Sequence, residues 1–125
     1  MANGITKEII IPSTDVFDEK FNKLYDYYDL RNPNEIYGFA KLHEGLIEGL
    51  IIVKSIITKY FPNENCVLEF NEDPESKSLN HINVILKDEG NFEKSDLEKF
   101  NTIDCEIIHS NDLSVDIHSL IIVGY

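Results

Sequence analysis

"NPNEIYGFAKLHEGLIEGLIIVKSIITKYFP", residues 32–62, is the stretch whose reading decides the fold. Asn32 suits an N-cap, Pro33 suits the first helical position, and Glu35 sits where a capping box wants its acid. Pro62 stops the run. Between them Phe39, Leu42, Leu46, Leu50, Val53, Ile57 and Tyr60 form one stripe, which Ile36, Ala40, Ile47, Ile51 and Ile56 widen. Lys41, Glu44, Glu48, Ser55 and Lys59 mark a narrower polar side. The spacing predicts one helix on the order of 40 Å long, its wide apolar face buried against more than one neighbour.

Inside this helix, "HEGLIEGL" (43–50) starts like a zinc-protease motif. That motif needs histidines at i and i+4, because only this spacing sets two imidazoles on one helical face. The position four after His43 is Ile47, so the motif fails, and no metal site is expected. Gly38, Gly45 and Gly49 each cost about 1 kcal/mol relative to alanine inside a helix, so a compensating close approach is expected. Gly45 and Gly49 lie four apart and would make a flat strip for the preceding helix or for a second subunit, a possible homodimer.

Outward from this helix, Ile5–Ile11 is β-branched and closed by Pro12, which reads as a first strand. Ser13 or Thr14 would cap an amphipathic helix carrying Phe17, Phe21, Leu24, Tyr25 and Tyr28. Downstream, "CVLEF" (66–70) and "HINVILK" (81–87) flank an acidic loop and read as a hairpin. Residues 90–101 suggest a short helix capped at Asn91 or Ser95, and "CEIIHS" (105–110) and 113–125 read as two strands about an Asn111-Asp112 turn. The expected order is β-α-α-β-β-α-β-β. This is an α+β fold in one domain over residues 1–125, with a mostly antiparallel four- to five-stranded sheet carrying the long helix and a second amphipathic helix.

The composition, 42% hydrophobic and 27% charged, is that of a globular chain of ordinary domain size. No signal peptide or membrane-length apolar run is seen, which points to a cytoplasmic protein. Cys66 and Cys105 both fall in expected strands and read as reduced core thiols.

Net charge is −12 and uneven. Residues 1–63 carry 9 acids and 7 bases, residues 64–106 carry 12 and 4, and residues 107–125 add 2 acids, giving −2, −8 and −2. Such a field repels phosphate backbones and anionic lipid, so neither nucleic acid nor membrane is an expected partner, whereas a basic protein would be attracted.

Three constellations could carry chemistry. Glu75 and Lys77 form an E-x-K triplet near a strand, loosely like a metal-dependent nuclease, but it follows Pro74 in a loop and no basic surface accompanies it. The ligand spacing and central glycine of an EF-hand are missing. If Asn111-Asp112 is a two-residue turn, Cys105 lies opposite His118, the minimum for an activated thiolate. No glycine-rich phosphate loop, nucleophile elbow or paired CxxC occurs, so no cofactor is implied.

From "EGLIEGLIIVKSIITKYFP" through "CVLEFNEDPE" and "HINVILKD" to "FEKSDLEKFNTID", the chain resembles a family of small uncharacterised prokaryotic α+β proteins. The matching positions are Phe61-Pro62 at the helix end and Asp73-Pro74-Glu75 after the strand. The resemblance implies no activity.

The leading expectation is a non-enzymatic interaction module that docks a basic protein, as an antitoxin or immunity protein docks a nuclease. Its face would comprise Glu69, Glu72, Asp73, Glu75, Asp88 and Glu89, gathered into one outward-pointing zone with other acids of residues 66–106. A first alternative is a small enzyme or ligand-binding domain, with Tyr25, Tyr28, His43, Cys105 and His118 lining a pocket between long helix and sheet. A second is a self-associating module built on the glycine strip.

Overall fold

The structure, a computed structural model, describes residues 12–87 and 93–125. The strand expected at Ile5–Ile11 lies outside the described residues, as do Asp88 and Glu89. Helix α1 (Pro12–Lys23) runs into a 3₁₀ turn at Leu24–Asp26 and a short strand β1 (Asp29–Leu30). Helices α2 (Pro33–Leu42) and α3 (Leu46–Tyr60) precede the hairpin of β2 (Cys66–Asn71) and β3 (His81–Leu86). Helix α4 (Lys94–His109), the single turn α5 (Val115–His118) and β4 (Ile121–Gly124) complete the chain.

The expected long helix is two helices. Gly45 adopts φ 91°, a left-handed conformation that an L side chain rarely takes, and the chain bends there. The break leaves Leu42, assigned to the apolar stripe by its spacing, 79% exposed. Beyond it the wide face of α3 is buried as expected: Leu46, Leu50, Val53, Ile56 and Ile57 are all interior, and α3 packs on the 3₁₀ turn, α4 and α5.

Among the described residues the sheet has four strands in the order β1-β2-β3-β4. It is mixed and not mostly antiparallel: β2 and β3 pair antiparallel, while β1 runs parallel to β2 and β4 parallel to β3. The reason lies at the C-terminus. A parallel partner needs a crossover of a dozen or more residues, and α4 with α5 supplies it where two hairpin-linked strands were expected. Residues 105–110 belong mostly to α4, whose buried Phe100, Ile103 and Ile107 follow helical spacing. Ser114 then caps α5, its hydroxyl accepting from the Ile117 amide at 3.2 Å.

Opposed residues of β2 and β3 share a face, so Cys66 with Leu86, Leu68 with Val84 and Phe70 with Ile82 look toward the helices. Glu69 and Asn83 occupy the other face, together with Ile122 of β4. Strands β1 and β2 point one way, β3 and β4 the other, and the helices of both parallel connections lie on one face. Two crossovers that advance in the same direction over one face, between oppositely pointing strand pairs, must have opposite hands. One therefore departs from the right-handed rule.

Candidate interaction surface

The loop between β2 and β3 is built from its own side chains. Asp73 Oδ1 accepts hydrogen bonds from the amides of Glu75 at 2.8 Å and Ser76 at 3.1 Å, an Asx turn that Pro74 pre-sets. The Asp73 amide donates to Asn80 Oδ1 at 2.7 Å, drawing the two ends of the loop together. Ser76 caps the 3₁₀ turn Lys77–Leu79 by accepting from the Ser78 amide, and its hydroxyl meets that of Ser78 at 2.7 Å. At the base, His81 Nδ1 lies 3.0 Å from the Leu79 carbonyl and Nε2 lies 3.3 Å from the side-chain amide nitrogen of Asn71.

These bonds fix a loop whose outward side is anionic. Glu72 and Glu75 are exposed, Asp73 is half-buried, and Lys77 is the one base among residues 71–80. Leu79 stands in the same loop 58% exposed. Glu69 sits on the outer sheet face, where Arg31 Nη1 meets its carboxylate at 3.1 Å.

The expectation of one anionic zone spanning residues 66–106 is corrected by the fold. The chain leaves β3 at the end away from the loop, so Glu93, Asp96 and Glu98 open α4 there. Several of these acids have local partners: Asp96 accepts from the Glu93 amide at 2.8 Å and approaches Lys99 at 3.6 Å. Farther along α4, Glu106 binds Lys59 at 2.8 Å and accepts the Tyr60 hydroxyl. Lys59 first, then the Tyr60 hydroxyl, hold the Glu106 carboxyl below the usual carboxylate range. The charge is therefore divided between the hairpin loop and α4.

The residues expected to share a pocket are not brought together. Tyr25 and Tyr28 border a polar cleft of 260 Å³ with Lys54 and Cys66. His43, its ring tilted against that of Phe39 with centroids 4.5 Å apart, lines a separate 410 Å³ cleft beside Lys20, Lys41 and Glu48. Burial raises the phenol of Tyr28, whose hydroxyl donates to the Leu50 carbonyl at 2.6 Å. Cys105 is exposed on α4 and His118 ends α5, so the hairpin register that opposed them does not exist. Nor are Gly45 and Gly49 a free strip: the Ile117 side chain faces both, and Leu113 also faces Gly49. A close approach is found at Gly49 alone, and it comes from side chains of the C-terminal segment and not from the first helix; at Gly45 the Ile117 contacts are ordinary ones of 3.8 Å.

Among the described residues no group of three or more His, Cys, Asp or Glu side chains is placed to hold a metal ion, and no polar or charged residue is buried. No helix of the described residues is long and apolar enough to cross a membrane. The arrangements absent from the sequence reading are Lys59–Tyr60–Glu106 and Lys54–Cys66. Both join positions far apart in the chain, and no local spacing signals either.

The class defined by this architecture is an α+β protein with a mixed four-stranded sheet covered by helices on one face. No family model, curated protein or solved structure matches the chain. The likeness at Phe61-Pro62 and Asp73-Pro74-Glu75 therefore assigns neither family nor activity.

Proposed function

We propose that the protein is a binding module that docks a basic protein through the β2–β3 loop, with Glu72, Asp73 and Glu75 as the anionic contacts and Leu79 as an apolar anchor among them. The observation that carries this reading is the hydrogen-bonded order of the loop. Its carboxylates are displayed on a frame set by Asp73, Ser76 and Asn80, so association need not first order the segment. A net charge of −12 favours fast encounter with a cationic surface, and the exposed leucine offers contact area that charge alone lacks.

The partner chemistry is a protein face rich in lysine and arginine, of the kind that otherwise grips phosphate. A nuclease or other nucleic-acid-binding protein presents such a face. Affinity capture from the native cytosol at low and high salt tests the reading. The expected result is one defined basic protein retained at low salt, released at high salt, and lost when Glu72 and Glu75 are both changed to Lys. Capture that ignores either salt or the charge reversal would refute the proposal.

A further inference from the structure

The polar cleft beside Tyr28 holds an amine and a thiol in near contact. Lys54 Nζ lies 3.8 Å from Cys66 Sγ and is steadied by donating to the Glu64 carbonyl at 3.1 Å. The two groups come from different elements, α3 and the first residue of β2, so the core fixes their separation. Cys66 is 2% exposed, yet both residues line the 260 Å³ cleft, whose other walls include Asp26, Asp29 and Asn65. A water-sized oxidant can enter a polar space of that volume, whereas a bulky thiol reagent cannot follow it to a thiol so covered.

We propose that Lys54 and Cys66 are an oxidative modification site, at which hydrogen peroxide, a two-electron oxidant, joins the two side chains through a reducible sulfur–nitrogen bond. In the first step the Cys66 thiolate attacks one peroxide oxygen, the O–O bond breaks, and the departing hydroxide takes up the thiol proton as water, leaving a sulfenic acid. In the second, the free amine of Lys54 attacks the sulfur, the S–O bond breaks, and the hydroxide leaves with an amine proton as a second water. Sulfur is oxidised by two electrons and peroxide is reduced by two. A dithiol reverses the link: its two sulfurs form a disulfide, and their hydrogens return to Cys66 and Lys54.

Neighbouring groups favour this outcome over simple over-oxidation. A sulfenic acid in the open proceeds to the sulfinic acid or to a mixed disulfide, but here an amine waits at the sulfur. The four-carbon lysine stem lets the nitrogen close on the sulfur once it gives up the Glu64 carbonyl. Burial raises the Cys66 thiol, so the reaction is slow at neutral pH and quickens under mild alkali. Cys105 is exposed and is removed in the test, so that Cys66 is the one thiol able to react.

The test uses full-length Cys105→Ser protein, treated with hydrogen peroxide at mildly alkaline pH, digested with trypsin and read by mass spectrometry. The expected result is loss of cleavage after Lys54, with a species joining the Lys54 and Cys66 segments that is lighter by two hydrogens and separates on treatment with a dithiol. In Lys54→Arg protein the joined species should be absent. Normal cleavage after Lys54, with Cys66 recovered as a thiol or only as its oxygen acids, would overturn the proposal. This readout needs no variant at Lys54, so it stands even where that substitution disturbs folding.

Discussion

At the scale of single residues, three glycines with the same sequence signature have three different physical roles. A Cβ at Gly38 would meet nothing within 4 Å, so Gly38→Ala should gain helix propensity and stabilise the protein by up to about 1 kcal/mol. A Cβ at Gly49 would lie 2.6 Å from Ile117 Cγ2, a methyl that branches at Cβ and cannot swing aside alone. Gly49→Ala should therefore destabilise by about 1–3 kcal/mol through overpacking. Gly45→Ala should destabilise by about 1 kcal/mol, because its φ is left-handed. Thermal melting of the three variants checks the signs: one midpoint above the parent and two below. The sequence shows that three helix glycines need compensation, but neither the bend at Gly45 nor the emptiness beside Gly38 is written in their spacing. Tyr28 adds a pH dependence. Burial raises its phenol, so its contribution to stability is whole below about pH 10 and is lost as pH rises through the raised value. In alkaline melting curves the parent should decline more steeply than Tyr28→Phe, which lacks the ionisable hydroxyl.

Among elements, the hairpin and the C-terminal third make an instructive contrast. Period-two alternation holds in β3, where buried and half-buried positions alternate along the whole strand, but not in β2, where Cys66, Val67 and Leu68 are all buried and the β-rich run marks the strand instead. The same alternation in Leu113, Val115 and Ile117 is misleading: Val115 is 72% exposed, and Leu113, Ile117 and Ile121 are the interior set at a spacing of four. In so short an apolar run the two periods compete, and the Ser114 cap decides between them. Ser114→Ala should accordingly cost about 1 kcal/mol, read by chemical denaturation. In the hairpin loop the frame and the charge can be separated. Asp73→Asn keeps a side-chain oxygen for the Glu75 and Ser76 amides, whereas Asp73→Ala removes it. Amide hydrogen exchange at Glu75 and Ser76 should stay slow in the first variant and quicken in the second; equal exchange in both would show that the loop is not held this way.

For the molecule as a whole, the α+β class is legible in the order of patterns, but the sheet is not. Parallel pairing of β3 with β4 depends on a helix that the run Cys105–Ser110 does not announce, and β1 is only two residues long. The proposed interaction surface is legible in part. The loop acids are visible in the sequence, while their separation from the acids of α4 follows from the path of the chain. Between α3 and α4, Lys59 and Tyr60 hold Glu106 below the usual carboxylate range, so that stabilisation is present above the ordinary carboxylate pKa and is lost as pH falls through the lowered value. Glu106→Gln should therefore melt below the parent near neutrality, with the two curves converging in acid.

The most direct measurement of the central claim is the affinity of the captured basic partner for the parent and for the Glu72→Lys, Glu75→Lys double variant, at matched salt and with equal melting temperatures. Docking through the loop requires the double variant to bind at least about tenfold more weakly, with a smaller salt dependence. Equal affinity in the two proteins would contradict it.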